Sequence, residues 1–327
     1  MIKAKKSLGQ NFLIDNNIIE KIIKIVNIEN KTILEVGPTA SGKSEFAVKL
    51  AKKIKGEIIN ADSMQVYKEL KILTARPLKK DMRSIKHHLY GFKEAKKNFS
   101  TGDWFNLVLK KMKLIRKKNK IPILVGGTGL YFKALTEGLV EIPKVPNKIR
   151  NQIRALQKKI GQKKFFDKLV KIDSLANNKI RPTDVQRTIR AYEVKLFTNK
   201  SIFDWYKKTK SKFKNSVFVK LYIDFPRPEL VERINLRTKK MLESGLIPEV
   251  KKFLKLRVPR SKSITKAIGI LEIKNLIENK VPKEQVIDKI SIKTRQYAKR
   301  QVTWARGNMK DWKKIKPKYL DNFLKKI

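Results

Sequence analysis

The sequence predicts an α/β fold in which a parallel sheet is flanked by helices and interrupted by a helical insertion. Three observations support this fold. Strand and helix patterns alternate over residues 32–142, a glycine-rich turn joins the first such strand to a helix, and strand patterns are absent over 143–212. We therefore expect an N-terminal segment (1–31), a core beginning with 32–142, a helical insertion at 143–212, and a second core part with C-terminal helices at 213–327.

The first elements form the series strand, turn, helix, strand. Upstream of them, isoleucines and a valine recur at helical spacing over residues 16–28 and predict an amphipathic helix. The apolar run Thr32–Val36 predicts a strand that leads into Gly37, and residues 45–54 have the pattern of an amphipathic helix. A second strand is predicted at 57–60. This order is typical of the opening of an α/β unit.

The next elements continue the alternation. Ser100 and Thr101 are residue types that cap helix N-termini, and they predict a helix that runs through Trp104 to about residue 118. Residues 121–125 are an apolar run of strand length and predict the third strand. Because strands and helices alternate, we expect the strands to be parallel.

The remaining chain contains the insertion and the return to the core. From about 145 to 210 only helical patterns occur, in a segment rich in lysine and arginine. Strand character returns at 217–224, so the sheet is expected to resume there. Residues 228–307 are predicted to be helical, and the lysine-rich tail shows no pattern.

Charge and composition limit the possible functions. The chain carries 79 lysines and arginines against 29 acidic residues, a formal charge of +50. Self-repulsion of this size destabilises a compact fold unless a polyanion compensates it. Of two explanations for the charge, binding to a nucleic acid is therefore favoured over a general bias towards lysine in the composition. There is no cysteine, and His87 and His88 are the only histidines. Disulfide frameworks, thiolate zinc sites and cysteine nucleophiles are therefore excluded, and any metal is expected to have oxygen ligands.

The hydropathy pattern gives no sign of a membrane segment. No apolar run approaches the roughly 18 residues of a membrane span. The first residues lack the continuous apolar core of a signal peptide. We expect a cytoplasmic protein.

A phosphate-binding loop follows the first strand. It fits the pattern G-x-x-x-x-G-K-[ST] and consists of Gly37, Pro38, Thr39, Ala40, Ser41, Gly42, Lys43 and Ser44. Backbone N–H groups and the positive helix end converge on phosphate oxygens in such a loop. Lys43 is expected to contact the terminal phosphate and the Ser44 hydroxyl to bind Mg²⁺, so the predicted fold is P-loop NTPase-like. Since ATPases, kinases and other diphosphate users share this loop, it predicts nucleotide or ATP binding without naming the reaction.

An aspartate follows the second predicted strand. Asp62 lies within residues 60–67, where the carboxyl ends of parallel strands form a ligand crevice. Its carboxylate could hold Mg²⁺, act as a base on a substrate nitrogen, or cap a helix. The residues alone leave these three roles open.

Several blocks together resemble one known family. They lie at residues 37–44, 61–67, 74–77, 87–89, 125–131, 184–191, 233–237, 267–269 and 294–304. In order and spacing, these blocks resemble the tRNA dimethylallyltransferases over about residues 37–307. Where that family more often has tyrosine, this chain has Ile270.

The resemblance implies a reaction and a set of site residues. A dimethylallyl group would pass from dimethylallyl diphosphate to N6 of adenine 37 in the tRNA anticodon loop. Asp62 would be the base that takes the N6 proton, with Thr39 and Arg237 as the other catalytic residues, contacting the diphosphate. The implied tRNA contacts are Asp62, Ser63, Met64, Gln65, Thr128, Arg150, Gln186, Arg187, Thr188, Ile189 and Arg190. We further expect Mg²⁺ as cofactor and a monomer.

The N-terminal segment resembles a different family. Residues 6–15 and 33–38 are similar to the start of the rRNA adenine dimethyltransferases, as if two chains had been joined at Gly37 and Pro38. In those enzymes the Gly-Pro continues into a glycine-rich loop that binds S-adenosylmethionine. Here it continues into the phosphate loop, so we expect no methyltransferase activity. The join also places Glu35 in a strand of a sheet expected to be buried on both faces.

Two other functions are weighed against this one. A nucleotide kinase or ATPase would want an acidic residue at the end of the third strand to hold Mg²⁺, and residues 124–127 supply none. A basic RNA-binding module would account for the charge but leaves the phosphate loop unexplained.

Overall fold

A six-stranded parallel sheet organises the part of the chain, residues 31–316, that the computed structural model describes. Its strand order is β3-β2-β4-β1-β5-β6. The strands are β1 (Thr32–Val36), β2 (Gly56–Asn60), β3 (His87–His88), β4 (Ile121–Gly126), β5 (Phe218–Ile223) and β6 (Lys313–Ile315). The helix predicted at 16–28 lies outside the described residues.

Helices surround and interrupt the sheet. In chain order they are α1 (Lys43–Lys53), α2 (Lys79–Met82), α3 (Thr101–Arg116), α4 (Gly129–Thr136), α5 (Asn147–Ile160), α6 (Gln162–Ile172), α7 (Leu175–Lys179), α8 (Val185–Thr198), α9 (Ile202–Lys207), α10 (Arg227–Glu243), α11 (Leu246–Lys255), α12 (Ile270–Ile277) and α13 (Lys283–Asn308). Within residues 31–316, none of these helices is long and apolar enough to cross a membrane.

The structure confirms the predicted parallel sheet and its P-loop arrangement. The strands predicted at 32–36, 57–60, 121–125 and 217–224 correspond to β1, β2, β4 and β5. The two edge strands, β3 and β6, were not predicted. Each has only two or three residues, too few to show an alternating pattern, and pairing with a neighbour defines them.

The described chain forms two compact units. One ends at Ala134 and resumes at Phe213, and it contains the sheet. The other, Leu135–Lys212, is helical and contains α5 to α9. It begins at Leu135, in the last turn of α4, whereas the insertion was predicted to begin at residue 143.

The core of the first unit forms between α1 and one face of the sheet. α1 buries Phe46, Ala47 and Leu50 against strand residues that include Ile33 and Ile123. Because strand side chains alternate between faces, Ile33 and Glu35 of β1 point to the same side. The core therefore fixes the start of α1, and with it the loop between β1 and α1.

Glu35 is a carboxylate inside this sheet. It pairs in register with Val125 of β4 and Leu221 of β5. The side chain is fully buried, and within the described residues neither carboxylate oxygen has a hydrogen-bond partner. Burial raises the pKa of Glu35 well above its ordinary value, although the Lys43 ammonium opposes this shift.

Replacing Glu35 by leucine is expected to stabilise the protein. An unsatisfied buried polar group usually costs about 1–3 kcal/mol, so the free energy of unfolding should rise by about that amount at neutral pH. Because the pKa of Glu35 is raised in the folded state, its contribution to stability is most favourable below the pKa of the unfolded carboxyl and is lost as the pH rises above that value. The gain from the substitution should therefore be larger at pH 8 than at pH 5 in urea unfolding. A gain that is constant or shrinks with pH would contradict the raised pKa.

Candidate functional site

The phosphate loop is closed by its own backbone and leads directly into α1. The Ser41 N–H donates to the Pro38 carbonyl at 3.2 Å, and the Glu45 N–H donates to the Gly42 carbonyl at 3.1 Å. Gly42 has a φ of 83°, in the left-handed region that favours glycine. The Lys43 ammonium donates back to the Pro38 carbonyl at 3.3 Å and so lies beside the loop.

Two side chains from distant helices hold this loop. Arg237 of α10 donates through Nη2 to Thr39 Oγ1 at 2.9 Å. Gln301 of α13 accepts from the Thr39 N–H at 2.9 Å and donates to the Gly127 carbonyl at 2.9 Å. Gln301 thus ties the phosphate loop to the segment after β4. The Nε of Arg237 and the Oγ of Ser41 are buried and have no hydrogen-bond partner among the described residues.

Charges of both signs converge around the loop. Burial lowers the pKa of Lys43 to about 8, against the opposing charge of Asp62 and with a further contribution from Arg237. Burial also lowers the pKa of Arg237 to about 10, with a contribution from Arg233, and Asp62 again opposes the shift. The Asp62 charge therefore favours the protonated form of both cations.

Asp62 occupies a tight turn after β2. Its Oδ1 accepts hydrogen bonds from the N–H groups of Met64 (2.8 Å) and Gln65 (3.3 Å). Its own N–H donates to Asn60 Oδ1 at 2.9 Å. Oδ2 accepts no hydrogen bond from the described residues, so it is the oxygen available to a ligand.

Thr128 lies beside this turn because β2 and β4 end next to each other. The Thr128 N–H donates to the Ala61 carbonyl at 3.2 Å, and Thr128 Oγ1 accepts from the Ser63 N–H at 3.0 Å. A Cβ on Gly126 would come within 2.1 Å of the Ala61 oxygen, so this approach requires glycine. The structure thereby brings together Thr128 and Asp62, which are far apart in sequence.

Two residues of this turn that were predicted to contact tRNA, Met64 and Gln65, also make structural contacts within the protein. The Gln65 side-chain amide donates to the carbonyls of Thr74 and Ala75 at 2.9 and 3.1 Å. Met64 packs partly buried against the apolar cluster that includes Val66 and Leu70. These contacts fix the turn that carries Asp62.

A cavity of about 800 Å³ lies beside the loop. Ser44 and Arg237 line it, together with the apolar side chains of Ile72 and Met241. Basic side chains, among them Lys49 and Lys240, also line it. Glu45, Asp81 and Glu249 line it as well, but cationic side chains outnumber these carboxylates, so the cavity is suited to a small organic anion.

The second unit carries the other predicted tRNA contacts. Arg150 of α5 and Arg190 of α8 both lie within 3.6 Å of the buried Glu193 carboxylate. Gln186 and Arg187 are exposed at the start of α8. These arginines and Gln186 lie on one helical unit and are accessible to an RNA.

The structure corrects two residues of the predicted contact strip. Thr188 is fully buried and donates to the Asp184 carbonyl at 2.7 Å, and Ile189 is 8% exposed within an apolar cluster. Consecutive residues of a helix point in different directions, so the contiguous strip cannot all face outward. The Thr188 and Ile189 side chains are not available for RNA contact.

Sequence comparisons place these features in a family. The model of the IPP transferase family matches residues 65–308. A tRNA dimethylallyltransferase of Pelagibacter ubique is 58% identical over 299 residues, which is 91% of this chain and 96% of the relative. The chain belongs to the IPP transferase family. An enzyme of the same description from Agrobacterium fabrum is 41% identical over 287 residues, 87% of this chain and 96% of the relative.

Solved structures of the IPP transferase family share the fold. A tRNA isopentenylpyrophosphate transferase from Bacillus halodurans aligns with a TM-score of 0.65 and 32% identity, covering 90% of this chain and 95% of that one. A eukaryotic dimethylallyltransferase acting on tRNA aligns with a TM-score of 0.78 and 27% identity, covering 90% of this chain and 75% of that one.

The comparisons also confirm the predicted resemblance of the N-terminal part to a second family. The ribosomal RNA adenine dimethylase model matches residues 1–87, a longer stretch than the predicted 1–38, and overlaps the IPP transferase match. An alignment over 299 of 327 residues necessarily includes the phosphate loop and Asp62. Both therefore lie within the segment that aligns with the Pelagibacter ubique relative, whereas the match to the family model begins after them, at residue 65.

The sequence-based prediction gave no role to several residues that the structure places at these sites. Gln301 and Arg233 lie in matched blocks but received no function, and Arg154 and Glu193 of the second unit were not singled out. Their importance depends on contacts between helices that are far apart in sequence. The spacing of Arg150 and Arg154, one helical turn apart, was the available signal.

Proposed function

We propose that the protein transfers a dimethylallyl group from dimethylallyl diphosphate to N6 of adenine 37 in the tRNA anticodon loop. The products are N6-(dimethylallyl)adenosine and diphosphate. The observation that carries this proposal is the combination of a phosphate loop held by Arg237 through Thr39 with Asp62 in the turn after β2, whose Oδ2 accepts no hydrogen bond from the described residues. The names of the relatives and of the solved structures support the same reaction.

In this reaction the two halves of the site have separate tasks. The adenine N6 attacks the allylic carbon, the carbon–oxygen bond to the diphosphate breaks, and Asp62 Oδ2 takes the N6 proton. Negative charge grows on the departing oxygens, where Lys43, the loop N–H groups and Arg237, held by Thr39, can stabilise it. Asp62, Ser63 and Thr128 would face the base. An anticodon loop is single-stranded, so its base can be unstacked at low cost.

We propose Mg²⁺ as the cofactor. Ser44 lines the cavity, and its hydroxyl fits this ion, which binds proteins through few side-chain oxygens and completes its shell with substrate phosphates and water. When bound, Mg²⁺ would neutralise part of the diphosphate charge. Arg150, Gln186, Arg187 and Arg190 are proposed to bind the tRNA.

We further propose that the protein acts as a monomer in the cytoplasm. A tRNA substrate supports the location. Sedimentation of the purified protein at several concentrations tests the monomer, which should show a constant mass near 38.1 kDa.

Incubation of the purified protein with unmodified tRNA and radiolabelled dimethylallyl diphosphate tests the reaction. Nuclease digestion and nucleoside chromatography should then show label in N6-(dimethylallyl)adenosine. A control with ATP in place of the labelled donor separates this activity from hydrolysis by a kinase or ATPase. Release of inorganic phosphate from ATP without labelled nucleoside would contradict the proposal.

Deleting residues 1–30 is expected to leave transfer intact. These residues fall within the match to the ribosomal RNA adenine dimethylase model, whereas the phosphate loop, Asp62 and Arg237 all lie beyond them. The deletion variant, which keeps β1 from Thr32, should retain wild-type kcat and KM within about a factor of two. Loss of transfer in a deletion variant with an unchanged circular dichroism spectrum would show that the segment contributes to the site.

A further inference from the structure

Three arginines surround one buried carboxylate in the second unit. Arg150 Nε lies 3.4 Å from Glu193 Oε2, Arg154 Nε lies 3.4 Å from Oε1, and Arg190 Nη1 lies 3.6 Å from Oε2. The Glu193 side chain is 1% exposed, whereas those of the arginines are 38%, 42% and 41% exposed. We call these four residues the arginine cluster.

The packing of two helices produces the arginine cluster. Arg150 and Arg154 are one turn apart on α5, and Arg190 and Glu193 are one turn apart on α8. α5 packs against α8 through Ile153 and Ile189, which share a buried apolar cluster. Since each isoleucine adjoins an arginine in sequence, the apolar contact sets the positions of the guanidinium groups around the carboxylate.

The cluster has more cationic donors than it can satisfy. Three guanidinium groups and one carboxylate carry a net charge of about +2, and each guanidinium has five N–H donors against two carboxylate oxygens. The contacts of 3.4–3.6 Å are longer than the roughly 2.7–2.9 Å of a strong charge-assisted hydrogen bond. Because the three arginine side chains are 38–42% exposed, donors that the carboxylate does not satisfy are accessible to phosphate oxygens.

The surface next to the cluster also suits single-stranded RNA. Tyr206 of α9 belongs to the same helical unit as the cluster and is 50% exposed. An accessible aromatic ring on the unit that carries the arginines can stack an unpaired base while the cations hold the backbone. Phosphates of an RNA loop are therefore better candidates than isolated phosphate ions.

We propose that Glu193 is a positioning residue that orients Arg150, Arg154 and Arg190 to bind phosphates of the tRNA substrate. This inference rests on the proposed function for the identity of the RNA. Without the carboxylate, the three like charges would repel one another and lose their common orientation. Glu193, which takes no part in the transfer reaction, would then control the affinity for tRNA.

The Glu193→Gln variant tests this role because orientation and net charge predict opposite results. The variant removes one negative charge, so charge attraction alone would tighten tRNA binding. If Glu193 positions the arginines, the KM for tRNA should instead rise about tenfold, with kcat at saturating tRNA and the KM for dimethylallyl diphosphate within about twofold of wild type. An unchanged or lower KM for tRNA in the folded variant would overturn the proposal.

The first unit offers a matched control. Glu57 is also a buried carboxylate with three basic neighbours, namely His88, Lys118 and Lys120. It lies near the start of β2, away from the end that leads to Asp62. Glu57→Gln makes the same chemical change and should leave the KM for tRNA unchanged; a rise equal to that of Glu193→Gln would make the effect a general result of losing a buried carboxylate.

A second variant covers the case in which Glu193→Gln does not fold. Arg154→Gln leaves Glu193 paired with two arginines, should raise the KM for tRNA about three- to tenfold, and should reduce the salt dependence of binding by about one phosphate contact. Unchanged affinity and salt dependence would overturn the proposal. Fluorescence anisotropy with an anticodon stem–loop RNA measures both variants without transfer, so the inference is decided even if wild type proves inactive as a transferase.

Discussion

Asp62→Asn is expected to slow transfer about 100- to 10,000-fold, the usual loss when a general base is removed. Asparagine keeps the Oδ1 acceptor that holds the N–H groups of Met64 and Gln65, so the turn should persist. The substitution changes the Oδ2 position, which accepts no hydrogen bond from the described residues and is proposed to take the N6 proton. Single-turnover transfer with labelled dimethylallyl diphosphate measures the loss.

Binding measurements with Asp62→Asn distinguish a general base from a metal ligand. The affinities for tRNA and for dimethylallyl diphosphate should stay within about threefold of wild type, because the proposed phosphate contacts come from arginines of the second unit and from the phosphate loop. Asp103→Asn is the control, since this carboxylate also accepts a backbone N–H, that of Ser100, but at the start of α3. Loss of diphosphate binding in Asp62→Asn would favour a metal-ligand role, and normal transfer would refute the base.

The parts of the fold that sequence predicts are those with local causes. The phosphate loop, β1 and the capped start of α3 each follow from a few adjacent residues, and the structure contains all three. The order of strands in the sheet has no local cause, because it depends on which β-strand edges pair after the intervening helices have packed. β6 illustrates this limit. Only Ile315 of its three residues is buried, and β5, the strand with which it pairs, lies about 90 residues earlier in the sequence.

The sequence predicted those site residues that belong to a local motif, but not the contacts between residues that are distant in sequence. Lys43 and Asp62 belong to recognisable blocks, but the bond from Arg237 to Thr39 joins residues 198 positions apart. The strip ending at Arg190 was predicted as one continuous surface, whereas the helical period buries Thr188 and Ile189. Sequence blocks therefore indicate which segment matters, and the helix geometry decides which of its side chains reach a ligand.

Glu35 shows the physical consequence of the join between two families. In β1 the carboxylate is enclosed by neighbouring strands, and no described residue pairs with it. The sequence predicted this conflict because a strand of a parallel sheet is covered on both faces. It could not predict that the Lys43 ammonium would lie near enough to moderate the cost.

Lys43→Ala is expected to reduce turnover about 100-fold or more, the scale of losing one donor that stabilises a leaving group. The ammonium lies beside the phosphate loop and is coupled electrostatically to Arg237 and Asp62. Lys52→Ala is the control, because Lys52 is an exposed lysine on the same helix, and its turnover should be normal. Near-normal turnover in Lys43→Ala would remove the phosphate loop from the mechanism.

The pH dependence of wild type and Lys43→Ala shows whether the activity is lost because the Lys43 charge is gone or because the side chain has a structural role. Since burial lowers the pKa of Lys43 to about 8, wild type should lose kcat/KM for dimethylallyl diphosphate as the pH rises through about 8, where the ammonium gives up its proton. Bound diphosphate favours the protonated form, so kcat at saturating donor should decline only at higher pH. The residual activity of Lys43→Ala should show no such decline near pH 8, because the titrating group is gone. A wild-type decline that persists unchanged in the variant would assign the titration to another group and leave Lys43 with a structural role only.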